Sequence, residues 1–100
     1  MIRGTTPTHT FTLPFEVSVI KSLVIIYAQN DIEVLRKEKN DCTLDGNTIV
    51  TKLTQEESLK FNHSMPVQIQ LKILTAGNDA LASYIHTVPV LKCLTDEVLA

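Results

Sequence analysis

The chain alternates apolar and polar residues along most of its length, and Val67-Gln68-Ile69-Gln70-Leu71-Lys72-Ile73 does so without a break. A period of two suits a strand with one face in a core and one in water, whereas an amphipathic helix needs a period near 3.6. The same alternation runs through Thr10 to Phe15, with Phe11, Leu13 and Phe15 on one face and Thr10, Thr12 and Pro14 on the other. His9 is assigned to the threonine-lined outer face. From about Ile20 to Ala28 both faces are apolar, Leu23, Ile25 and Tyr27 opposite Val24, Ile26 and Ala28. Such a strand calls for a central place in a sheet, or for a loop or partner chain over its second face.

Turn-forming clusters punctuate these runs. Glu16-Val17-Ser18-Val19 reads as a turn, and Gln29-Asn30-Asp31 joins the second strand to Ile32–Lys39 as a hairpin. Asp45-Gly46-Asn47 separates Cys42–Leu44 from Thr48–Leu53, with Gly46 free to take positive φ. Gly77-Asn78-Asp79 precedes a last long strand, Ala82–Leu91, in which Pro89 lacks a backbone donor and pushes that end to a sheet edge or a bulge. With turns every 8–15 residues or so and no long helical pattern, the expected fold is all-β. It is a single domain over residues 1–100, an antiparallel immunoglobulin-like β-sandwich of six or seven strands with one short helical turn near residues 54–60.

That helical turn lies in Leu53-Thr54-Gln55-Glu56-Glu57-Ser58-Leu59-Lys60-Phe61. Thr54 and Glu57 have the spacing of a capping box, in which each side chain satisfies the other's backbone N–H. Glu56 and Glu57 are the obvious acid/base candidates, but adjacent helical residues point about 100° apart and share neither a proton nor a metal well. His9, His63 and His86 offer at most a two-histidine metal site, His9 with His86 if the terminal strands pair. A third ligand is missing, and all three read as surface or rim residues. Cys42 and Cys93 read as independent thiols in a reducing compartment rather than a cross-sheet disulfide, and neither has a flanking basic group to activate it. Nucleophile-elbow, phosphate-loop and HExxH patterns are lacking. The expectation is therefore a protein that is not an enzyme, with no catalytic, cofactor-binding or metal residue.

A net charge of -2 with scattered Lys and Arg argues against nucleic acid as a partner. The longest apolar run, Leu23–Ala28, falls far short of the ~20 residues that cross a bilayer, so no membrane partner is expected. The N-terminus shows no apolar signal region, which suggests retention in the cell unless the chain leaves within a larger particle.

One resemblance extends over nearly the whole chain. Thr6 to Phe15, Tyr27-Ala28-Gln29, Leu53 to Phe61, Val67 to Leu71 and Ala80-Leu81-Ala82-Ser83 together resemble a family of short uncharacterised β-sandwich proteins encoded in phages and prophages of Gram-positive bacteria. In strand pattern the chain is loosely similar to the N-terminal domain of phage baseplate upper proteins. Val88-Pro89-Val90 departs from the continuous last strand expected there. The resemblance implies a structural or assembly role through contacts with other virion or assembly proteins, self-association among them. It implies the bacterial host cytoplasm during synthesis and the virion afterwards, and it supplies no catalytic residue. The alternative is a small binding module for a cell-surface glycan or other ligand, with Tyr84 as its exposed ring.

Overall fold

A computed structural model describes residues 1–100. Its elements are β1 (Thr8–Thr12), β2 (Ile20–Gln29), β3 (Ile32–Glu38), β4 (Thr43–Asp45), β5 (Thr48–Lys52), α1 (Gln55–Ser58), β6 (Val67–Thr75), β7 (Ala80–Ala82) and β8 (His86–Val88). Two antiparallel sheets pack together. The smaller has the order β1-β5-β4, and the larger has the order β3-β2-β6-β7, with β8 also on β6. The all-β sandwich and the α-helical turn within residues 54–60 are as expected, with eight strands rather than six or seven and two further 3₁₀ turns, Val17–Val19 and Lys39–Asp41.

The extra strand arises because the expected last strand, Ala82–Leu91, is divided. β7 pairs with Lys72–Leu74 and β8 with Val67–Ile69, end to end along one edge of β6. Between them Ser83 takes over the pairing: its N–H donates to Leu71 O at 2.8 Å, and its hydroxyl accepts from Leu71 N at 3.0 Å. A side chain thus replaces a strand partner, and the chain bulges outward at Tyr84, which is 91% exposed. Pro89 lies just past β8, at the sheet edge that its missing donor requires.

Turn chemistry sets the hairpins. Asn30 and Asp31 both take positive φ, 51° and 62°, the two-residue geometry that matches strand twist between Gln29 and Ile32. Gly46 turns β4 into β5 at φ 57°. At the β6–β7 turn the positive φ falls on Asn78 rather than Gly77, consistent with the tolerance of Asn for that region. Glu16–Val19 closes as a 3₁₀ turn over Val17–Val19.

The core follows the alternation. Leu23, Ile25 and Tyr27 of β2, Val67, Ile69, Leu71 and Ile73 of β6, and Ile49 of β5 are buried between the sheets, with Leu53 and Phe61 beside them. Phe61 is 1% exposed, and its ring centroid lies 6.0 Å from that of Tyr27. It fastens the segment after α1 to the centre of the larger sheet. Phe61→Ala should lower the stability by about 3–5 kcal/mol, the usual cost of emptying such a site, read from urea unfolding.

Candidate functional site

The helical corner holds its two glutamates apart. Thr54 Oγ1 accepts the Glu57 N–H at 3.1 Å, and Glu57 Oε1 accepts the Thr54 N–H at 2.9 Å, closing the capping box. Strand β3 turns every second residue inward, which puts Lys37 beside Leu35 on the core side, 8% exposed. Its Nζ lies 2.8 Å from both Glu57 carboxylate oxygens. Burial acts to raise the Glu57 carboxyl, but the Lys37 and Thr54 hydrogen bonds outweigh it and hold the pKa below the ordinary value. Glu56 stays exposed. Glu57 is therefore committed to joining the corner to β3, a pairing that local spacing does not reveal.

His9 does not lie on the outer face assigned to it from sequence. It shares the parity of Phe11, so it turns into the sandwich, half-buried, with Nδ1 2.7 Å from the Tyr27 hydroxyl and ring centroids 5.4 Å apart. Burial, then the neighbouring Cys42 and Glu57, push the Tyr27 pKa far up, so its hydroxyl keeps its proton. That hydroxyl has no other acceptor, so it donates to Nδ1 and the imidazole hydrogen sits on Nε2. Burial, followed by the N-terminal ammonium charge, lowers the His9 pKa. The histidine is a neutral acceptor for the buried Tyr27 hydroxyl.

The remaining candidates are dispersed. His63 is exposed in the α1–β6 connection. His86 shares with His9 a shallow groove of about 270 Å³ between β1 and β8, floored by Ile69 and Val88, yet the two belong to different sheets. No third His, Cys, Asp or Glu completes a metal cluster there or elsewhere. Cys42 and Cys93 are free thiols. Burial raises the Cys42 pKa, and its Sγ donates to Glu38 O at 3.3 Å. Thr51 Oγ1 lies within reach of that thiol but without hydrogen-bond geometry, and it is the one buried side-chain oxygen lacking a partner.

The larger sheet also carries apolar residues on its outer face. Val24, Ile26 and Ala28 run down its middle, each partly exposed, as the doubly apolar second strand implied. On one side β3 sets Glu38 beside Val24, Arg36 beside Ile26 and Glu33 beside Ala28. On the other, β6 sets Lys72, Gln70 and Gln68 beside the same three residues. Arg36 lies 3.5 Å from Glu33 and 3.7 Å from Glu38, whereas Lys72 has no ionic partner. The sheet edges invite less. β3 carries four charged residues and a register shift opposite Tyr27/Ala28, β4 has three residues, β7 and β8 are interrupted, and β1 is five residues between Pro7 and Pro14.

Comparisons with protein-family models, with curated proteins and with solved structures gave no match. No helix is long and apolar enough to cross a membrane.

Two pH effects follow. Because the folded-state pKa of His9 is depressed, its contribution to stability is present above the unfolded value of 6.5 and lost as the pH falls below it. Thermal melts should show that loss in the wild type and a flatter profile in His9→Gln. The Glu57 contribution, also from a lowered pKa, is present above 4.5 and lost on further acidification. The stability gap between wild type and Glu57→Gln should narrow below that pH.

Proposed function

We propose that this chain is a structural or assembly protein that works through protein–protein contacts, in the phage or prophage setting that its sequence resemblance implies. The observation that supports it is the row Val24, Ile26 and Ala28, apolar side chains left partly exposed in the middle of the larger sheet. An isolated surface leucine needs no explanation, but a row of apolar residues flanked by charged and amide side chains has the anatomy of an interface. The ionisable groups nearest the core are occupied in structural pairs, Lys37 with Glu57 and His9 with Tyr27. Association by a face also agrees with the four shortened, charged or interrupted edges.

A glycan- or ligand-binding role is the competing reading, favoured by the exposed ring of Tyr84. That ring stands on the bulge between β7 and β8, not in the groove that holds His9 and His86. Binding on a glycan array that Tyr84→Ala abolishes would turn the choice toward it.

Wild-type protein should associate with rising concentration in light scattering, and Ile26→Glu should abolish this while leaving the melting temperature nearly unchanged. Tail or capsid genes are expected on both sides of the coding sequence. A metabolic operon there would remove the phage setting.

A further inference from the structure

The charges around the apolar row are not placed at random with respect to it. Along β2 the outward residues define three rows across the sheet: Glu38–Val24–Lys72, Arg36–Ile26–Gln70 and Glu33–Ala28–Gln68. Within these rows both glutamates lie on the β3 side and the one cation without an ionic partner, Lys72, on the β6 side; at the far end the carboxylate of Asp31, from the β2–β3 turn, is held by the Gln68 amide.

Two such faces can be stacked by a two-fold axis in one of two ways with strands aligned. If the axis crosses the strands, β3 lies over β3 of the second copy with the rows reversed. Glu38 then meets Glu33, and Arg36 meets Arg36, so like charges are opposed. If the axis runs along β2, the rows are kept and the sides exchanged. Val24, Ile26 and Ala28 then lie on their own counterparts, Glu38 meets Lys72, Lys72 meets Glu38, and each Arg36 meets an amide, that of Gln70. Resting on the association proposed above, we infer that the partner for this face is a second copy of the chain, packed face to face about a two-fold axis parallel to β2. Charge complementarity selects this arrangement over the other, because opposed like charges at an interface are strongly disfavoured. It is also isologous, as a closed dimer requires.

The geometry tolerates sheet twist. Packed sheets lie about 30° apart, which displaces facing residues about 8 Å from the centre by only about 4 Å. The long side chains of Glu38 and Lys72 span that offset. The apolar row sits at the centre, where the displacement is smallest.

The test uses the full chain and sedimentation equilibrium from micromolar to millimolar concentration, with thermal melts to confirm folding. The wild type should dimerise, Lys72→Glu should weaken the dimer by about tenfold by bringing acid against Glu38, and adding Glu38→Lys to that variant should restore it. The exposed Lys72 ammonium has no ionic or hydrogen-bond partner within the chain, so its reversal breaks no bond of the fold, which the melts check. A wild-type dimer indifferent to Lys72→Glu would overturn this arrangement while leaving association by the face in place. A wild type that stays monomeric throughout would overturn the dimer and restrict the proposed function to partners other than itself.

Discussion

The antiparallel register of β2 against β6 is the constraint on which the rest of the molecule depends. Across that ladder Leu23, Ile25 and Tyr27 stand beside Ile73, Leu71 and Ile69, all pointing into the sandwich. Sliding one strand by a single residue would turn Gln68, Gln70 and Lys72 into the core, which desolvation of three unpaired polar groups forbids. Once the register is set, Tyr27 is placed under His9 and against Phe61, and the smaller sheet and the helical corner have fixed points to meet. Outside, the same register aligns Glu38 and Lys72 on either side of Val24.

Much of the polar content of the interior serves one non-repetitive stretch, from Thr54 to Pro66. Its backbone groups have no ladder to join, and side chains from other elements supply what is missing. Gln29 donates to the carbonyls of Asn62 and Met65 and accepts the Asn62 N–H. Arg3 donates to the carbonyls of Leu59 and Phe61, and the buried Ser58 hydroxyl donates to Thr5 O. With the Lys37–Glu57 pair, these bonds approach the corner from β2, β3 and the N-terminal segment. Of the charged residues in this stretch, Glu57 is therefore architectural, whereas Glu56 and Lys60 face solvent.

Local patterns revealed the parts of the fold that local physics decides. Hairpins were legible from Asn30-Asp31 and Asp45-Gly46-Asn47, the capping box from Thr54 and Glu57, and the exposed apolar row from a strand with two apolar faces. The division of the last strand was not, because it depends on Ser83 reaching Leu71 across the sheet. The inward turn of His9 is hidden for a related reason: its polar character matches the outer threonines, while its parity matches Phe11. Its partner, the Tyr27 hydroxyl, lies 18 residues away in the other sheet. The rows of the outer face likewise required the register shift in β3, which displaces Val34 and brings Glu33 opposite Ala28.

The order of the smaller sheet bears on how the chain survives its own synthesis. β1 is made first, yet its only ladder partner is β5, with Thr8 opposite Lys52. While the intervening strands emerge, Phe11, Leu13 and Phe15 have no sheet to cover them. A waiting segment of this kind, rich in β-formers and aromatic residues, is where unintended pairing between nascent chains begins. Pro7 and Pro14 bracket it, and Thr8, Thr10 and Thr12 keep its other face wettable. The same residues that make β1 a modest strand in the finished sandwich make it a safe one during the interval before β5 arrives.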